Sequence, residues 1–184
     1  NIGDKCAVFR GEPATIYDRV YSYDPLGWVV SLGFDNSTSA MYANIFTARS
    51  AETLDAIGLY DTSAGSFTAR IYLDPSGGPV NASGPVAEVS WTDSIPAYRT
   101  VKVPPVALRK GQKFSIVVTA STPGYGYPVA LEYPLDDYAS HARAQAGLGY
   151  ISETGSAWTD MTTVLPETSI CLKGYTTLRT KVGI

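Results

Sequence analysis

The chain predicts an all-β fold, a mostly antiparallel β-sandwich of jelly-roll type. Three observations carry that prediction. Apolar and polar residues alternate with period two, most cleanly in Phe67, Ala69, Ile71 and Leu73 against Thr68, Arg70 and Tyr72. Turn-forming residues recur about every 8–12 positions, the spacing of short strands in sandwiches and barrels. Only residues 134–147 have an Ala-rich composition open to helix, and that stretch is short. A length of 184 residues suits one domain with a sizeable core.

Taken in order, residues 1–14 show no clean periodicity and form a lead-in or linker. The domain spans 15–176, and 177–184 is a C-terminal tail. Residues 15–23 are extended, and 28–34 form a strand. Asp35 to Ser39 is a polar loop before a strand over 40–48. Residues 53–61 form the next strand, and Thr62 to Gly65 is a turn. The alternating strand 67–73 ends at Asp74-Pro75-Ser76-Gly77-Gly78-Pro79, which must be loop. Ala87, Val89 and Trp91 share one strand face. Tyr98 to Val103 follows and is expected to stop at Pro104-Pro105. A turn at 108–112 leads into Phe114, Ile116 and Val118. After Thr122-Pro123-Gly124, a strand resumes over 127–133. Short strands at 150–152 and 169–175 close the domain.

The most specific stretch is Tyr21-Ser22-Tyr23-Asp24-Pro25-Leu26-Gly27-Trp28. Pro25 fixes its own φ and drives Asp24 out of the helical region. Gly27 supplies a positive φ, so Asp-Pro-x-Gly is a tight turn. Two readings stay open. One is a structural corner with Trp28 buried and the tyrosines packed beside it. The other is an aromatic and acidic rim around a ligand or metal.

Composition narrows the function. The net charge is −3 with 17% charged residues, and no basic stripe suggests nucleic acid. No apolar run is long enough for a membrane span. Thirteen Tyr against five Phe is a skew toward a residue with an apolar body and a polar tip. The chain begins at Asn1, which is expected of a piece cut from something longer. Asn36-Ser37-Thr38 and Asn81-Ala82-Ser83 match the glycosylation sequon, which matters only in an exporting, glycosylating cell.

No catalytic arrangement is legible. His141 is the sole histidine, and Ser140 beside it makes no triad by adjacency. No Gly-x-Ser-x-Gly elbow occurs, and neither Cys has a nucleophile's sequence context. Asp136-Asp137 is a loop pair whose side chains diverge, better suited to a metal loop than to acid–base work. Calcium takes such oxygen ligands. Asp24, Asp136 and Asp137 are its foremost candidates, with Asp35 and Asp160 behind them. Glu132 alternates with Leu131 and either faces water or bonds a ligand hydroxyl.

Several segments together resemble one family. They are Tyr21 to Trp28, Ala43-Asn-Ile-Phe-Thr-Ala48, Gly111-Gln-Lys-Phe-Ser-Ile-Val-Val118, Tyr127-Pro-Val-Ala-Leu-Glu-Tyr133, Tyr150-Ile-Ser152 with Trp158-Thr-Asp160, and Ile170-Cys-Leu-Lys173. In this order they resemble the lectin-like domain that follows the catalytic domain of some papain-family cysteine peptidases. Those peptidases are exported or cell-surface proteins of bacteria and archaea. The resemblance covers roughly residues 15–176. It implies a β-sandwich ancillary module without catalysis of its own, attached to a papain-like peptidase domain, extracellular or at the cell surface. It also implies, by analogy of fold, carbohydrate or cell-wall polysaccharide as partner. Tyr23, Trp28, Tyr125, Tyr127 and Tyr133 would stack on sugar rings, and Asp24 and Glu132 would bond hydroxyls. The alternative is a module that stabilises or spaces the peptidase and contacts no sugar. In an exported protein, a Cys6–Cys171 disulfide is expected to staple the lead-in to the sandwich. The alternative is two free thiols, Cys171 being a small buried hydrophobe.

Overall fold

The computed structural model describes residues 16–135 and 137–179, without the side chain of Asp137. Thirteen strands follow in chain order: β1 (Arg19–Tyr21), β2 (Val30–Leu32), β3 (Ser39–Thr47), β4 (Glu52–Asp61), β5 (Gly65–Leu73), β6 (Ala87–Asp93), β7 (Ala97–Leu108), β8 (Lys113–Ser121), β9 (Val129–Glu132), β10 (Gly149–Ser152), β11 (Thr159–Asp160), β12 (Ser169–Ile170) and β13 (Leu172–Leu178). The described part is all-β with antiparallel sheets, consistent with a β-sandwich. Among the described residues between Glu132 and Gly149 the only helical turn is a 3-10 turn at Asp137–Ala139. Alanine propensity is too weak over so short a stretch to nucleate an α-helix. One α-turn, α1 (Met161–Val164), was not foreseen; Asp160 caps it, its side chain accepting from Thr162 N.

A four-stranded sheet runs β1-β13-β4-β7 and a six-stranded sheet runs β11-β10-β3-β8-β5-β6. They face each other across one core that holds Phe46, Phe67, Phe114, Ile116, Leu54 and Ile57. At Gly174 of β13 the sheets nearly touch: a Cβ there would lie 3.3 Å from both Ile116 and Leu54 side chains. A short third sheet, β12-β9-β2, closes one flank. Cys171 is the joint where the chain leaves that sheet for the four-stranded one, its amide donating to Ala130 O at 3.0 Å.

Two expectations shift. β7 passes through Pro104-Pro105 and continues to Leu108. Its register to β4 breaks between the Ala56–Lys102 and Leu54–Val106 pairs, so the prolines sit in a bulge. β7 is also the sheet edge, where a missing N–H is tolerated. At the C-terminus β13 runs on to Leu178, across the expected start of the tail. Asp18 and Ala51 hold that end, accepting from the amides of Leu178 and Arg179 at 2.6 and 3.1 Å. The lead-in of residues 1–14, including Cys6, lies outside the described residues.

Candidate functional site

The Tyr21–Trp28 stretch is a corner whose side chains go to four different places. Tyr21 enters the core, edge-on to Phe114 at 5.3 Å. Tyr23 stacks on Phe46 at 4.9 Å and donates to Ile45 O at 2.7 Å; burial pushes its hydroxyl up to about 12. Asp24 is buried, ion-paired to Lys173 and bonded by Ser22 Oγ at 2.9 Å. The turn itself forms as Gly27 donates to Asp24 O at 3.2 Å, with Gly27 at φ +79°. Glu132 Oε2 then accepts from Leu26 N at 2.5 Å and Gly27 N at 3.1 Å.

Both carboxylates expected to bond ligand hydroxyls are therefore internal. Glu132 does not face water: it is fully buried, with Oε2 engaged by the turn and Oε1 accepting from no described group. Burial raises its carboxyl above the usual range, against the two amides that favour the anion. Asp24 already has a cationic partner in Lys173. Asp136 and the side chain of Asp137 lie outside the described residues, and these include no cluster of three His, Cys, Asp or Glu able to hold a metal.

Trp28 is the part of the corner that faces out. It is 37% exposed, so the buried-corner reading does not hold for it. Its indole N–H donates to Ser31 Oγ at 2.9 Å and its ring lies 5.7 Å from Tyr60. From there an aromatic strip crosses the outer face of the four-stranded sheet. Tyr60 meets Tyr98 edge-on at 4.9 Å; Tyr98 and Tyr175 join hydroxyl to hydroxyl at 2.5 Å; Tyr175 stacks on Tyr17 at 5.1 Å. Register makes the strip. Tyr60 pairs Tyr98 across β4–β7, while Tyr175 pairs Ala56 across β13–β4. Gly58 is the floor between them, and any Cβ there would collide with the hydroxyl of Tyr98. A bare glycine thus lets two tyrosines lie over the sheet instead of standing off it. Tyr138, 71% exposed, extends the surface at the Trp28 end by donating to Leu26 O at 3.0 Å.

A separate cleft of about 280 Å³ lies where β3, β10, β12 and α1 meet. Tyr23, Asn44, Arg143, Gln145, Thr162 and Ser169 line it, with Leu148 and Ile170 as its apolar wall. Asn44 is buried in β3, and its Nδ2 donates to Ile170 O and Leu172 O at 3.0 and 2.9 Å. Its Oδ1 accepts from no protein group. Leaving a buried acceptor dry costs about 1–3 kcal/mol.

The remaining candidates lie elsewhere. Tyr125 and Tyr127 form an edge-on pair 5.8 Å apart just beyond β4, where Thr62 Oγ1 donates to Tyr127 O; Tyr127 is 58% exposed. Tyr133 is half-buried. His141 is exposed on a loop. Cys171 is buried and makes no disulfide with a described residue. Burial drives its thiol well above the usual range, the reverse of an activated nucleophile. The seven residues expected to bind ligand thus do not meet at one site. The reading of single segments missed Tyr17, Tyr60, Tyr98 and Tyr175 in the strip and Asn44 and Arg143 in the cleft. Only the tyrosine skew signalled the strip.

The family model of the lectin-like domain matches residues 20–176. The chain belongs to that family. Among solved structures it is similar to the cysteine protease and lectin-like domains of Cwp84, a surface layer associated protein of Clostridium difficile, at 24% identity and TM-score 0.63 over 78% of this chain and 33% of that one. It is also similar to the clostridial cysteine protease Cwp84 after propeptide cleavage, at 22% identity and TM-score 0.68, over 88% of this chain and 40% of that one. The chain thus corresponds to 33–40% of the length of those chains. No curated protein gives a significant match.

Proposed function

We propose that this domain is a non-catalytic module that holds a cell-surface peptidase against carbohydrate, with cell-wall polysaccharide as the ligand class. The aromatic strip carries the reading. Sugar rings present flat C–H faces that pack on exposed aromatics, and an extended chain of them suits a row of rings rather than a pocket. Trp28, Tyr60, Tyr98 and Tyr175 supply such a row, on strands whose register fixes their spacing. Thr100, a register partner of Gly58, stands beside it as a polar group for hydroxyls. Association with a papain-like peptidase in the parent chain, and a place at the cell surface, are supported by the solved relatives, both cysteine protease structures and one of them described as surface layer associated.

One observation favours a second reading, a docking face for the peptidase domain without sugar contact. One hydroxyl of the Tyr98–Tyr175 pair donates to the other, which leaves the centre of the strip with a single hydroxyl hydrogen to give and more apolar than a wet glycan site. A glycan-array screen of the pure domain, run with and without calcium, separates the two. Saturable polysaccharide binding supports the first reading; no glycan bound, with capture of the excised peptidase domain, supports the second.

A further inference from the structure

We infer that the cleft beside Asn44 is a second binding site, for a single N-acetylated amino sugar. It shares with the strip reading only the general class of ligand, and it uses different residues. At about 280 Å³ the cleft is at the small end of ligand pockets, which hold drug-sized molecules at roughly 300–1,000 Å³. One sugar unit is the scale that fits. Asn44 sets the polarity required. Its amide nitrogen is committed to two backbone carbonyls, so the side chain cannot flip, and the oxygen is left as a buried acceptor with no partner. The ligand must therefore bring a donor to that point.

An acetamido group matches what surrounds it. Its N–H is a donor, which Asn44 Oδ1 lacks. Its methyl is apolar, and Leu148 and Ile170 form the apolar wall of the same cleft. Its carbonyl and the ring hydroxyls need donors, and Arg143 and Gln145 line the rest. Gly149 lines the cleft beside the acceptor. A Cβ there would stand 3.4 Å from Asn44 Oδ1 and 3.5 Å from Ile170 Cδ1, so an added methyl would take up space next to the unmet oxygen. The surrounding charge is mixed: Arg143 is cationic, while Asp160 and Glu167 bond the nearby amides of Gly147 and Ala144. That balance suits an uncharged sugar rather than an anionic one.

The test is a titration of the full chain with N-acetylglucosamine, and with glucose as control, followed by amide and side-chain NMR. The inference expects saturable shifts at the Asn44 side-chain amide, Gly149 and Ser169 with the acetamido sugar. It expects at least about tenfold weaker affinity with glucose, whose 2-hydroxyl can still donate to Asn44 Oδ1 but which lacks the acetyl methyl and carbonyl that meet Leu148, Ile170 and Arg143. Gly149→Ala is expected to weaken binding by a similar factor while melting as the parent does, which keeps the test clear of any fold lost in an Asn44 variant. No saturable shift at these residues overturns the inference, as does equal binding of glucose or unchanged binding by Gly149→Ala. Repeating the titration in Tyr98→Ala separates the two sites: the cleft keeps its sugar there whether or not the strip binds polysaccharide.

Discussion

The hydroxyl of Tyr21 on β1 lies 2.6 Å from the carboxylate of Glu52 on β4, although β13 separates those strands in the sheet. Thr176 of β13 donates to the other carboxylate oxygen at 2.5 Å, and the amides of Arg49 and Ser50 donate at 3.0 Å each. A fully buried carboxylate is thus ringed by four donors that tie the first strand to the last. Burial alone would raise its pKa, but the donors together outweigh it and hold the carboxyl below the ordinary 4.5. The folded state therefore binds that proton less readily than the unfolded chain. The stability it contributes is full above about 4.5 and is lost as pH falls below it. Glu52→Gln is expected to cost about 2–3 kcal/mol at neutral pH, the range for hydrogen bonds to a charged group. It is also expected to flatten the acid limb of a melting-temperature profile. An unchanged acid limb contradicts this.

Asp61 is expected to act in the opposite direction. It is fully buried at the end of β4, where Trp91 Nε1 donates at 3.2 Å and Arg99 lies 3.6 Å away. Burial, reinforced by Asp93 beside it, raises its carboxyl to about 7. The folded state binds the proton more tightly than the unfolded chain does, so stability falls as pH rises from about 4 to about 7 and levels off above. Asp61→Asn should remove that decline. A melting temperature that stays flat from pH 4 to 7 in the parent protein would refute it.

Trp28→Ala is expected to cost only about 1 kcal/mol, because the ring is partly exposed and packs on Tyr60 alone among described aromatics. Phe46→Ala, deep among Tyr21, Tyr23 and Phe114, is expected to cost about 3–5 kcal/mol. Thermal melts of the two variants check the ranking. Comparable losses would return Trp28 to the core.

The strands were legible because alternation and turn chemistry are local. The Phe67–Leu73 pattern predicts a strand that is observed as β5, Gly65–Leu73. The Asp24-Pro25 turn is likewise set by the φ limits of proline and glycine within four residues. Pairing is not local. Tyr98 and Tyr175 are 77 residues apart and meet only because β7 and β13 both flank β4. The burial of Asp24 and Glu132 was illegible for the same reason. An acidic residue beside an aromatic run is compatible with an outward-facing rim, but the partner that neutralises Asp24 sits on β13, and the amides that engage Glu132 sit in the turn far upstream. Asn44 carries no local signal at all, since its unmet oxygen depends on Ile170 of β12 and Leu172 of β13 claiming its nitrogen.

Gly58→Val is expected to open the strip from below. The added side chain must displace the Tyr98 and Tyr175 rings, while the opposite face of β4, with Ile57 and Leu59 in the core, is untouched. The expected result is loss of the Tyr98–Tyr175 contact in a crystal structure, with the sandwich retained.

The central claim is that the strip binds polysaccharide, and co-sedimentation with insoluble cell-wall polysaccharide measures it directly. The intact domain and the variant carrying both Trp28→Ala and Tyr98→Ala are compared at equal concentration, after melts show both folded. Loss of one stacked ring is taken as about 1 kcal/mol, so the double change should weaken binding by about tenfold to a hundredfold. Saturable binding by the intact domain with that loss in the variant is the predicted result. No binding by the intact domain, or equal binding by both proteins, contradicts the account.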